Sequence, residues 1–266
     1  MYRQSHVASI RRRPSRPLGR ESWPGGHLLK LHPGLVEATF VRRLNRFVAL
    51  LSCRGGQVMA HVANSGRLEE LLSPENRMLL TPVDPSSGRK TAFDLTLVEV
   101  DGVLVSADAR LPNALLQEAI EDRRLPEFAA YDSSEREVQF HDSRLDIRLT
   151  GRTGSYYIEA KSVTLVEDGM GIFPDAPTER GRKHLGALTK AVACGHEAAV
   201  AFVVQRPDVG SVSPNLRTDP EFCRALAAAA ESGVNVFAYR CSVTESSILI
   251  DSSIPVRIPM KTADEG

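Results

Sequence analysis

The stretch that decides the fold is Arg144-Leu145-Asp146-Ile147-Arg148-Leu149, followed after a loop holding Gly151 and Gly154 by Tyr157-Ile158-Glu159-Ala160-Lys161-Ser162. The first run alternates strictly. As a strand it turns Leu145, Ile147 and Leu149 to one side and Arg144, Asp146 and Arg148 to the other. In the second run Glu159 and Lys161 stand two apart, which puts them on one face about 6–7 Å from each other. The glycine-bearing connection predicts a hairpin, with its strands about 4.8 Å apart. Asp146 then stands beside Glu159, with Lys161 one step further along. Two carboxylates that close repel each other unless a cation or a proton lies between them.

Around this hairpin helices and strands alternate. Pro112 opens a helix over Asn113–Asp122 with Leu115, Leu116, Ala119 and Ile120 on one face. Strands follow at Glu135–Phe140, Arg144–Leu149 and Tyr156–Leu165, then a helix from Thr178 to Cys194 closed by Gly195. Ala198–Val204 is continuously apolar, as a strand covered on both faces should be. An Ala-rich helix, Asp219–Ser232, and a strand, Val234–Tyr239, complete the series. The strand–helix–strand crossover makes part of the sheet parallel, so this half is an α/β domain with a mixed sheet.

The half before it reads as short strands and turns: Leu35–Phe40, Arg46–Ser52, Gln57–Val62, Met78–Pro82, Phe93–Val100 and Val103–Ser106. Gly55-Gly56 and Asp101-Gly102 supply hairpin turns, and Gly66–Leu72 reads as a short helix. Five or six strands with a helix after the third is the layout of a small OB-like β-barrel, although an SH3-like barrel leaves similar marks. Arg42, Arg43, Arg46, Phe47 and His61 combine cations with a ring, as base-stacking OB surfaces do. Phe47 serves equally well as core.

Paired carboxylates with a lysine are what metal-assisted phosphodiester hydrolysis requires. Hard oxygen ligands hold Mg²⁺ (or Mn²⁺), which keeps several waters and accepts a substrate phosphate. Lys161 would orient or deprotonate a water, or screen the developing charge. Asp146, Glu159 and Lys161 are the expected catalytic residues. Asp146 and Glu159 are the metal ligands, and Glu118 on the preceding helix is a third ligand or a surface residue. The spacing Asp-x(12)-Glu-x-Lys, with its order of elements, resembles the PD-(D/E)xK nuclease motif and core.

Phe173-Pro174-Asp175-Ala176-Pro177-Thr178-Glu179-Arg180-Gly181-Arg182-Lys183-His184-Leu185 resembles the signature stretch of the sugar fermentation stimulation protein A family. Arg43–Phe47, Phe202–Arg206 and Ala238–Cys241 extend the likeness over nearly all of the chain. The resemblance implies an N-terminal OB-like β-barrel, a C-terminal PD-(D/E)xK nuclease-like α/β domain, and DNA binding linked to regulation of sugar, notably maltose, metabolism. Two departures stand out. The family's A-H-C-P-N-T-G is Ala60-His61-Val62-Ala63-Asn64-Ser65-Gly66 here, without the Cys-Pro, and its E-V-K-N is Glu159-Ala160-Lys161-Ser162. The alternatives are a non-catalytic DNA-binding regulator of sugar metabolism and an RNA-directed nuclease.

Arg180, Arg182, Lys183 and His184 crowd the first turns of a helix whose N-terminus favours anions, so they join Arg43, Arg46, His61 and Asn64 as expected nucleic-acid contacts. An ordinary solvated charged face is the competing reading. Gln205 and Arg206 end a buried strand and either reach the site or simply turn the chain. With 33 Lys+Arg against 33 Asp+Glu, the 266-residue chain is no basic nucleic-acid coat. Residues 1–24 depart from that balance, with six arginines against Glu21. The chain is expected to divide into an Arg-rich disordered arm (1–26), the barrel (27–107), the α/β domain (108–255) and a tail (256–266). Four dispersed cysteines fit reduced cytoplasmic thiols, and the sequence holds no run of 18 or more apolar residues, so no membrane-spanning helix and no membrane partner are expected. Oligomeric state stays open, a homodimer included.

Overall fold

The computed structural model describes residues 29–152 and 154–258. The Arg-rich arm lies outside them, as does the tail beyond residue 258. A short strand β1 (Leu29–Lys30) precedes six barrel strands: β2 (Val36–Asn45), β3 (Val48–Cys53), β4 (Gly56–His61), β5 (Arg77–Pro82), β6 (Phe93–Val100) and β7 (Val103–Ser106). They run in the order β4-β3-β2-β5-β6-β7, and a β4–β6 pairing closes the ring. Ala49, Leu51, Ala60, Met78, Leu80, Leu95 and Val98 fill its interior. This is an OB barrel.

The second half contains α1 (Leu111–Glu121), β8 (Tyr131–Phe140), β9 (Ser143–Gly151), β10 (Gly154–Val163), β11 (Val166–Glu167), β12 (Met170–Phe173), α2 (Glu179–Ala193), β13 (Glu197–Val204), β14 (Ser211–Pro214), α3 (Pro220–Glu231), β15 (Asn235–Val243) and β16 (Ser247–Ile254). Its main sheet runs β1-β16-β15-β13-β10-β9-β8, with β10, β13 and β15 parallel and the remainder antiparallel. β11, β12 and β14 form a separate small sheet.

Local chemistry sets the helix starts. Thr178 accepts from the Gly181 N–H at 3.0 Å, and Asp219 accepts from the Phe222 N–H at 2.9 Å, each quenching an unpaired donor of a first turn. α1 lays Leu115, Leu116, Ala119 and Ile120 on one face of the sheet, against Ile147, Leu149, Tyr156 and Ile158. α2 and α3 cover the other face with Leu185, Leu188, Phe222 and Leu226. Between these layers β13 is inaccessible from Ala198 to Val204, as its unbroken apolar run requires. The result is an α/β domain built on a mixed sheet with helices on both faces. No described helix is long and apolar enough to cross a membrane, and all four cysteines are unpaired.

Several expectations give way to longer-range pairing. β1 lies before the barrel in sequence, yet it pairs with β16 at the edge of the other sheet. Val256 bridges to Val212, and the Arg257 N–H donates to the Val212 carbonyl, so the chain stays docked past the last strand. The stretch 66–72 is a turn and not a helix. Leu68 has a positive φ of 54°, and its N–H is drawn to Asp175 Oδ2 at 3.3 Å. Arg43 holds the same loop by donating to the carbonyls of Arg46 (2.5 Å), Asn64 (3.3 Å), Gly66 (2.8 Å) and Arg67 (2.6 Å).

This loop is where the barrel meets the α/β half. A Cβ at Gly66 would lie 2.2 Å from Asp175 Oδ2, so only glycine lets the loop and Asp175 approach this closely. Gly66→Ala is expected to cost about 1–3 kcal/mol by pushing the carboxylate off the Leu68 N–H. In an Asp175→Ala background the same change should cost much less. Urea unfolding of the four proteins checks this, and simple additivity would remove the contact as the cause.

Candidate metal and phosphate site

The pairing of β9 with β10 runs from Gly151↔Gly154 to Ile147↔Ile158 and stops there. The next residue of β9, Asp146, turns its carboxylate into the opened ladder. Its Oδ2 accepts from the Ala160 N–H at 2.8 Å, where a strand carbonyl would otherwise serve. Asn113, in the first turn of α1, donates to Oδ1 at 2.8 Å. The strict alternation read from the sequence breaks at this point. Ile147 and Leu149 pack under α1, whereas Leu145 joins Val138 and Phe140 in the core under α2. Glu137, between the β8 partners of Leu145 and Ile147, has a positive φ of 57°, which rotates the ribbon locally.

Glu159 and Lys161 share a face, as their spacing requires. Lys161 Nζ lies 2.5 Å from Glu159 Oε1, and His184 Nδ1 of α2 bonds the same oxygen. Glu159 is only 3% exposed, and its second oxygen, Oε2, is buried with no hydrogen-bond partner. Burial pushes the Glu159 carboxyl up, but Lys161 and His184 outweigh it and hold the group below the usual range. Asp146 goes the other way. Burial, and then repulsion from Glu159, push it up to about 6 against the pull of Lys161, the Ala160 N–H and Asn113.

Two neighbouring carboxylates, one presenting an orphan buried oxygen and the other held back from ionising, suit a hard divalent cation that needs few protein ligands. Among the described residues no three His, Cys, Asp or Glu side chains converge as a ready ligand set. Glu118, the third candidate, is held by an arginine. It accepts from Arg124 Nη2 at 2.8 Å, and Arg124 is anchored to the Ile250 carbonyl on β16, three places from β10 in the sheet.

The expected nucleic-acid contacts separate into two groups. Arg43 is spent on loop carbonyls. Asn64 receives the Gly66 N–H at 2.9 Å and donates to the Ala107 carbonyl at 3.3 Å. Arg182 clamps Asp219 at 3.0 and 2.8 Å and so ties the starts of α2 and α3 together. His184 is buried on Glu159, and His61 lies 3.4 Å from Asp94. Gln205 and Arg206 brace the chain: Gln205 Nε2 donates to the Asp108 carbonyl and Ser162, and Arg206 grips Asp208 and the Thr164 carbonyl. Arg46, Arg180 and Lys183 remain exposed, Lys183 donating to the Asp142 carbonyl at 2.8 Å. Phe47 is 45% exposed, with Val41, Leu44 and Met59 also open on the barrel, so it is surface and not core.

Sequence reasoning missed Asn113 and the role of His184. A signal existed for the latter. His184 falls on the helical stripe of Gly181, Leu185 and Leu188, the face that α2 buries.

Comparison with known proteins follows the same division. The family model described as the SfsA N-terminal OB domain matches residues 41–107, and that described as the sugar fermentation stimulation protein RE domain matches residues 110–247. A sugar fermentation stimulation protein homolog of Desulforamulus reducens is 44% identical over 226 residues, covering 85% of this chain and 94% of its own. Another from Acetivibrio thermocellus is 46% identical over 233 residues, covering 86% of this chain and 100% of its own. The solved structure of Pyrococcus furiosus SfsA in complex with Ca²⁺ is 30% identical with a TM-score of 0.80, covering 87% of this chain and 99% of that one.

The raised Asp146 has a thermodynamic signature. Its ionised form is disfavoured in the fold, so its contribution is most favourable below the unfolded pKa near 4 and is lost as pH rises through about 6. In chelator, Asp146→Asn should therefore be more stable than the unsubstituted protein at pH 7.5, by up to about 3 kcal/mol. That gain should vanish near pH 4. Urea unfolding at the two pH values measures it, and a pH-independent difference would exclude the buried charge.

Proposed function

The chain belongs to the sugar fermentation stimulation protein family, and from that premise we propose that it binds DNA largely without regard to sequence and carries a Mg²⁺-dependent nuclease-like site. The observation that carries this reading is the orphan Oε2 of buried Glu159 beside Asp146 and Lys161. The Ca²⁺ complex of the Pyrococcus furiosus relative supports a divalent ion in this fold.

Asp146 and Glu159 would hold the ion. When bound, it supplies Lewis-acid polarisation of a phosphate oxygen and lowers the pKa of a coordinated water. Asn113 and the Ala160 N–H keep the Asp146 carboxylate from rotating. Lys161, mostly buried, places a fixed positive charge next to Glu159, where negative charge would develop on the phosphate. Exposed Arg180 and Lys183 at the start of α2, with Arg46 on the barrel, give the backbone phosphates cations to meet, and the open ring of Phe47 gives an unpaired base a stacking surface. The engagement of both Asp146 oxygens favours one alternative, a DNA-binding regulator that keeps the site closed and does not cut.

Labelled single-stranded DNA, duplex DNA and RNA, incubated with Mg²⁺ or Mn²⁺, test the reading. Cleavage is expected from the unsubstituted protein and should fall at least about 100-fold in Lys161→Ala and Glu159→Gln. Activity that survives both substitutions belongs to a contaminant. Binding without cleavage selects the regulator, and absence of binding at low salt overturns both.

Salt dependence identifies the contacts. Arg46→Ala with Lys183→Ala should weaken binding to all duplex sequences alike and flatten the plot of log K against log salt by about 0.9 per lost phosphate contact. An unchanged slope would remove both from the contact surface.

A further inference from the structure

His184 sits 6% exposed beneath the first turns of α2, with its two ring nitrogens facing different partners. Nδ1 meets Glu159 Oε1, an ionised oxygen that can only accept, so Nδ1 carries the proton. Nε2 is then the acceptor, and Arg180 Nε–H faces it at 3.4 Å. The chain Arg180–His184–Glu159 thus runs from the helix surface to the buried carboxylate. Lys161 reaches the same oxygen at 2.5 Å, so two donors from two elements converge on Oε1 and none on Oε2. Torsion about the last bond of a glutamate is soft and roughly two-fold, so without such one-sided bonding the two oxygens would exchange places.

We propose that His184 is a positioning residue: with Lys161 it fixes Glu159 by one oxygen and so presents the other, unpartnered oxygen to a divalent cation. The inference rests on the metal-site reading above and assigns a function to a residue of the basic cluster that the nucleic-acid reading would have used for phosphate.

Ca²⁺ binding measured by isothermal titration calorimetry tests it on the full chain. The unsubstituted protein should bind, and Glu159→Gln should abolish binding. His184→Leu keeps the buried volume but removes the donor, and should weaken binding about 10–100-fold. His184→Asn restores an N–H at the position of Nδ1–H and should stay within about threefold of the unsubstituted protein. No binding by the unsubstituted protein sinks the metal site itself. Binding unchanged in His184→Leu, or as weak in His184→Asn as in His184→Leu, sinks this inference alone. Should the leucine variant not fold, ¹⁵N-histidine spectra of the unsubstituted protein decide. The His184 Nδ1 resonance should shift on Ca²⁺ saturation, and an unmoved resonance overturns the proposal.

Discussion

A carboxylate almost sealed from water has to be compensated, and Glu159 is such a group. Isolated in an apolar interior its charge would be prohibitive, so the fold must bring cations or donors to it or leave it protonated. Lys161, two residues along the same strand, supplies one partner through strand geometry alone. His184 supplies the other, and it can do so only because α2 packs its buried face on β10 and β13. Both bonds fall on one oxygen. An electrostatic asymmetry remains, with one oxygen satisfied and the other buried without a partner.

The same economy shapes Asp146. Where β9 leaves β10 the ladder would expose an unpaired Ala160 N–H, and a buried donor without an acceptor costs about 1–3 kcal/mol. The aspartate side chain takes the place of the missing strand carbonyl. It thereby satisfies the backbone and stands in the gap next to Glu159. The end of the strand pairing and the placing of Asp146 are here one event, because the residue that follows the last pair caps the donor that the ladder leaves.

Much of the positive charge in the signature segment serves the interior. Arg182 binds the carboxylate that starts α3, His184 binds Glu159, and Asp175 meets the barrel loop held by Arg43. A guanidinium offers five donors in a fixed fork, which suits it to gathering backbone carbonyls as much as to gripping phosphate. The segment between Phe173 and Leu185 is therefore in large part architectural: it binds α2 to α3 and to β10, and through Asp175 it meets the barrel loop. Arg180 and Lys183 are the cations it leaves at the surface.

The sequence alone determined what depends on neighbours in the chain. Alternation and helical stripes placed Phe93–Val100 and Val103–Ser106 to the residue, located α2 and α3 to within a residue or two, and put Glu159 and Lys161 on one face. The apolar run of Ala198–Val204 announced a strand covered on both sides, and the order of elements indicated a small barrel, OB-like or SH3-like, followed by a mixed sheet. Tertiary structure decided everything that joins distant residues. The break in alternation at Asp146, the Asn113 and Ala160 donors, the bond of Glu118 to Arg124 and the pairing of edge strand β1 with β16 all follow from how strands twist, splay and pair. Periodicity reports which way a side chain faces relative to its own backbone. Which charge it meets there is set by strand order and helix packing, and these are properties of the assembled sheet.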